Sequence, residues 1–283
     1  REVAGQLGED ERDEQLTEDD DRPRPEERRA AEPDAHAEVA ERPRRHADEA
    51  ERDREVRQEA ERALQFCPHI IIVDDGSIDN TSAMLSGLAV QCLRNERNLG
   101  KAASLWRGAH AALALGVEAI VTLDGDGQHA PEDIPRLLAA SRQQPGSIVI
   151  GARLADRSAI PKLRLFANRA AVFWLSWACG QRLEDSQSGF RVYPATLFGE
   201  VVLSHDRKHG FVFESEILIE AARYGHRCVM VPIAAVYRAD ARPSHFRHLD
   251  TLRIIRMVAW KLLSRGLYLP GFYRAFIKSE ARS

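Results

Sequence analysis

From His69 onward, short aliphatic runs alternate with longer stretches in which apolar residues recur every three or four positions. The runs ending at Asp74, Leu93, Leu123 and Gly151 are too short for helices and are stopped by polar turn residues, which is the pattern of buried strands. Between them the periodicity predicts a helix entered at Asp79-Asn80-Thr81-Ser82 and reaching Leu88, one opening near Gly100 and running through Leu115, and one over Pro131–Arg142. Strand and helix alternating at this spacing predict right-handed βαβ units in one mostly parallel sheet. Residues 161–180 read as an aromatic-rich helix, whose apolar face suits either core or membrane contact, and a further helix starts at Phe211. The stretch 183–194 reads as a polar loop, and Cys228–Ile233 as a late strand.

The stretch organising the rest is Val121–Pro135, VTLDGDGQHAPEDIP. A strand breaks off into Asp124, Asp126 and Gln128, so two carboxylates and an amide stand at a strand end, where open α/β sheets bind ligands. Such hard oxygen donors suit Mg²⁺ or Mn²⁺ completed by a phosphate ligand. The same residues could form a simple turn, whereas an EF-hand is excluded by His129 and Pro135 at its glycine and glutamate positions. With strands parallel, the same edge should also carry Asp74, Asp75 and Arg153. Lys101 at a helix start is either a phosphate-binding cation or a solvated charge. Glu214 and Glu216 open the later helix and suit its dipole.

Charge divides the chain. Residues 1–62 hold 23 acidic residues against 13 arginines, no lysine and five large aliphatic residues, leaving 27 Lys/Arg against 20 Asp/Glu for the remainder. That leader is expected to be disordered or at most a solvated helix, followed by a domain over 63–245. The tail, 246–283, reads as a basic amphipathic helix with Trp260, Tyr268 and Tyr273, suited to a membrane surface or to packing on the domain. Its amphipathic spacing argues against nucleic-acid binding. The four cysteines lack C-x-x-C spacing, no signal peptide opens the chain and no apolar run is long enough to span a bilayer. The expectation is a cytoplasmic protein with reduced thiols.

Taken together, IIIVDDGS, NLGKAAS, LDGDGQHAPEDIP, IGAR, DSQSGFRVYP, FVFESEILIEA and VPIAAVYR resemble a family 2 glycosyltransferase of the GT-A fold, in its dolichol- or polyprenol-phosphate mannosyltransferase-like branch. The resemblance implies a Rossmann-like α/β domain and transfer of a hexose from a UDP- or GDP-linked sugar to a lipid phosphate, with inversion, at the inner face of the cytoplasmic membrane. It implies a donor site at Asp74, Asp75, Gly76, Ser77, Lys101 and Asp124, with Asp126 and Gln128 holding Mg²⁺ or Mn²⁺. Arg153, Arg238 and Ser244 would hold the acceptor phosphate. For a hydroxyl acceptor, Glu216 or Asp185 would be the base. No segment like that family's first strand and P-x-Y-N-E loop precedes His69, so the sheet is expected to lack one member. A nucleotide-binding protein without turnover is the alternative reading.

Overall fold

In the computed structural model, residues 54–77, 81–153, 162–203, 212–234 and 248–278 are described. Residues 54–63 form helix α1, followed by β1 (Ile71–Asp74), α2 (Thr81–Met84), β2 (Gln91–Arg94), α3 (Lys101–Leu113) and β3 (Ala119–Thr122). Then come α4 (Ile134–Gln143), β4 (Ile148–Arg153), α5 (Lys162–Cys179), β5 (Arg191–Pro194), α6 (Leu197–Glu200), α7 (Phe213–Arg223) and β6 (Cys228–Ile233). Helices α8 (His248–Leu263) and α9 (Leu269–Phe272) end the described chain, with one wide helical turn over Tyr273–Ile277.

The architecture is α/β, with helices on both faces of the sheet. β1 and β2 pair in parallel as a separate two-stranded sheet, and the remaining strands lie in the order β3-β5-β4-β6. The strands keep the mostly parallel arrangement that the pattern predicts, with one correction: Arg191–Pro194, read as loop, is a strand antiparallel to both neighbours. Because β3 and β4 each run against β5, they run parallel to each other. Their C-terminal ends, and hence Asp124 and Arg153, still share one edge with the N-terminal end of β5. β4 and β6 pair in parallel from Ile148↔Cys228 to Arg153↔Ile233.

Alternation along the strands builds two cores, since successive side chains point to opposite faces. Ile120, Ile148, Ile150 and Tyr193 face one core with α3, α5, α7 and α8. Val149, Val192, Phe190 and Ile233 face the other, covered by Ile134 and Leu137 of α4 and by Ala63. α8 packs by Ile254, Val258 and Leu262, spaced one turn apart, against α5 and α7. Phe173 of α5 stacks on Phe276 and Trp177 meets Phe272, so the aromatic face of α5 is partly covered by the C-terminal segment.

The acidic leader is shorter than its composition suggested. Residues 54–62 are helical, Glu59 and Ala60 are buried, and Arg57 donates to the carbonyls of Met84 and Ser86 while Arg62 pairs with Glu132. Val56, Ala60 and Ala63 recur at i, i+4 and i+7, which gives the helix an apolar stripe inside a charged sequence.

Candidate active site

At the end of β3 the Asp124 carboxylate receives Lys101 Nζ at 2.7 Å, and the same ammonium lies 2.5 Å from Glu214 Oε1. Burial works against both Asp124 and Lys101, but the ammonium holds the Asp124 carboxyl below its ordinary range, and Glu214 and then Asp124 hold the amine above its own. Lys101 therefore bridges β3 and α7 in this structure. Gly189 lets this happen: a Cβ there would lie 2.4 Å from Asp124 Oδ2, and its carbonyl accepts from Thr122 Oγ1 at 2.8 Å.

Asp126 lies on the exposed turn beyond, where its Oδ1 accepts the Gln128 amide at 3.1 Å. Glu59 of α1 approaches the same turn. Burial first, and then the charges of Asp126 and Asp124, push its carboxyl up to about 8, with Arg62 and the Gly127 amide opposing. Its Oε1 is buried without a hydrogen-bond partner, as is Nδ1 of His129, whose imidazole is pushed down by burial while Asp124 and Asp126 oppose and Arg153 adds to the fall. The donor chemistry fits a divalent cation: Asp124 and Asp126 share one turn, Lys101 compensates Asp124, and Oε1 of the buried Glu59 beside them has no proton donor. Among the described residues no three His, Cys, Asp or Glu side chains are close enough together to ligate one ion unaided, so a phosphate or water would complete the shell.

At the end of β4, Arg153 Nε donates to Asp185 Oδ2 at 3.0 Å, and its backbone amide donates to the same oxygen at 3.2 Å. Burial favours the neutral acid, but Arg153 and the Gln187 amide hold Asp185 below its usual value. The two candidates thus form one ion pair. Glu216 stands elsewhere: it pairs with Lys261 of α8 at 3.2 Å, and Glu220 accepts from the same lysine. Two residues along a helix turn the side chain by about 200°, so Glu214 and Glu216 cannot share a face. Glu214 occupies the place expected of Glu216.

At the end of β1, Asp74 is buried and accepts the Ser77 amide at 2.8 Å, closing a turn in which Gly76 has φ +74°. Asp75 fastens the approach to α3, accepting Asn95 Nδ2, the Leu99 amide and the Gly100 amide, each at 2.8 Å. Burial opposes ionisation here, but these bonds outweigh it and hold the carboxyl low. A fully buried Arg191 completes the frame, donating to the carbonyls of Ser186, Ser188 and Glu214 and to Tyr193 Oη. Arg238 and Ser244 lie outside the described residues.

The sequence model of the family described as Glycosyl transferase family 2 matches residues 68–198. The polyprenol monophosphomannose synthase of Mycolicibacterium smegmatis is 30% identical over 183 residues, covering 61% of this chain and 69% of that one. The undecaprenyl-phosphate mannosyltransferase of Micrococcus luteus is 28% identical over 204 residues, covering 69% and 83%. A solved structure of a mycobacterial protein superposes with a TM-score of 0.52 at 18% identity, covering 76% of this chain and 71% of that one, which is a likeness of fold. The chain belongs to glycosyltransferase family 2. It is a glycosyltransferase with a mixed α/β fold of the GT-A kind.

Proposed function

We propose that the protein moves a hexose from a UDP- or GDP-linked sugar to a polyprenyl-phosphate-type lipid, with inversion, at the inner face of the cytoplasmic membrane. The observation that carries this reading is the shared edge: the outward-facing Asp126 beside an Asp124 fixed by Lys101, with the Arg153 guanidinium at the end of a parallel strand. The names of the mycobacterial and Micrococcus relatives support the lipid phosphate.

On this reading the turn after β1, Asp74 to Ser77, borders the nucleoside, and Asp75 acts by shaping the Leu99–Gly100 loop. Asp126 and Gln128 hold Mg²⁺ or Mn²⁺, which when bound supplies Lewis-acid neutralisation of the departing diphosphate. Arg153, aimed by Asp185, attracts the acceptor phosphate and offsets its repulsion from the donor. Arg238 and Ser244, which the family resemblance assigns to the acceptor phosphate, would assist. A phosphate acceptor is already an anion and needs no base. Both candidate bases are engaged in any case, Glu216 with Lys261 and Asp185 with Arg153.

Trp260, Leu263, Leu267, Leu269, Tyr273 and Ile277 are exposed on the C-terminal helices, with Arg253, Arg256, Arg274 and Lys278 exposed among them. Exposed apolar and aromatic residues interspersed with cations suit an interfacial membrane contact for the 246–283 tail. Among the described residues no helix is long and apolar enough to cross a membrane.

Calorimetric titration with UDP and GDP, with and without Mn²⁺, tests the donor site, and transfer of labelled sugar to undecaprenyl phosphate tests the acceptor. Mn²⁺-dependent binding of one nucleotide, lost in Asp126→Asn, is expected. A cooperatively melting protein that binds neither nucleotide overturns the reading.

A further inference from the structure

Helix α1 lies ahead of the segment matched by the family model, yet it reaches the turn that carries Asp126. Val56 and Glu59 are three residues apart and so share one helix face. Val56 Cγ2 lies 3.7 Å from where a Cβ on Gly125 would stand, and Gly125 sits between Asp124 and Asp126. One turn further along, Arg62 binds Glu132, just past the same turn of chain. These contacts fix the face of α1 over the loop. Glu59 is 6% exposed, and its Oε1 has no hydrogen-bond partner. The carboxyl accepts the Gly127 amide, which places it at this turn, but once ionised a carboxylate buried there beside two others, with one oxygen lacking any donor, is costly unless a cation meets it. Arg62 does not do so directly, since its guanidinium is spent on Glu132.

We propose that Glu59 donates a carboxylate oxygen to the divalent cation held by Asp126, making helix α1 part of the metal site. The proposal rests on the metal reading of Asp126 given above. It accounts for a glutamate on the buried face of a helix whose apolar stripe would accept alanine or leucine. It also divides the labour among the acids: Asp124 is neutralised by Lys101, whereas Asp126 and Glu59 are left as the ionisable oxygen donors for the metal. Two carboxylates with the remaining positions filled by diphosphate oxygens and water make a normal Mg²⁺ or Mn²⁺ shell.

The experiment is Mn²⁺ uptake by the full chain, followed by electron paramagnetic resonance of the free ion, with Mn²⁺ alone and with excess UDP or GDP. Wild type, Glu59→Gln and Asp126→Asn are compared beside their thermal melts. Glu59→Gln is expected to weaken Mn²⁺ binding about tenfold or more, the scale of disturbing an oriented metal shell, while melting close to the wild-type temperature because the amide keeps the size and shape of the carboxyl. Unchanged or tighter binding in Glu59→Gln, with binding lost in Asp126→Asn, overturns the role of Glu59 and leaves the metal reading intact. No uptake by wild type under any condition overturns both. If Glu59→Gln does not melt cooperatively, Glu59→Asp carries the test by withdrawing the carboxylate one methylene: weakened uptake supports the proposal and wild-type uptake overturns it.

Discussion

β4 and β1 both lead into the polar edge, yet Ile148, Val149, Ile150 and Ala152 are wholly shielded from solvent whereas Ile71, Ile72 and Val73 are only partly so. β4 is hydrogen-bonded on both sides, by β5 and β6. β1 pairs only with β2, three of whose four residues are exposed. A two-stranded sheet is marginal by itself, and here fastenings from outside the ladder hold it: the Asp75 bonds to Leu99 and Gly100, and the reach of Arg57 to Met84 and Ser86. Burial fixes the Arg153 side of the edge. On the Asp74–Asp75 side that task falls to a few polar bonds. Under the proposed function this less stable layer is the half that would admit and release the nucleotide.

Arg191→Ala strikes the buried half hardest. It leaves the carbonyls of Ser186, Ser188 and Glu214 without their donor, and the loss should be about 3–5 kcal/mol in denaturant unfolding, the scale of breaking a buried hydrogen-bonded charge. Asp75→Ala tests the other half. It should cost about 1–3 kcal/mol, and hydrogen exchange should rise over β1, β2 and the start of α3 with little change in β4. Equal rises in both sheets would remove the contrast.

Acid should act through the Asp185–Arg153 pair. The carboxyl is lowered in the folded state, so its contribution is fully present above the unfolded value near 3.8. That contribution is lost as pH falls through the lower folded pKa. Asp185→Asn should flatten this part of the stability profile in acid denaturation series. The smallest effect belongs to Glu216→Gln, which should leave turnover close to wild type because Lys261 keeps its bond to Glu220 and the site is untouched. A large loss of turnover would instead make Glu216 the base for a hydroxyl acceptor.

Most strands and helices were legible because their periods and stop signals are local. The antiparallel β5 was not: Arg191–Pro194 is four residues long, follows a polar loop and owes its place to pairing on both sides, which no local pattern encodes. Strand order was hidden for the same reason. In the site, Asp124, Asp126 and Arg153 were readable from strand ends, but the partners of Lys101 and Arg153 depend on tertiary approach. Helical spacing alone could have separated Glu214 from Glu216, and the stripe Val56, Ala60, Ala63 could have marked α1 within the charged leader. Arg191 gave no signal, since a buried arginine is identified only by the carbonyls that converge on it.

Helix α1 also bears on where the chain can be shortened. The described chain opens with helix α1 at residue 54, whereas similarity to the family begins at residue 68. A protein trimmed to residue 68 for expression would lose the Arg57 and Arg62 fastenings and the cover that Ala63 and Phe66 lay over the second core. It should be recovered as insoluble material, while one that keeps the whole of α1 should purify as a soluble species. The practical limit of the domain is thus set by the helix rather than by the boundary of resemblance.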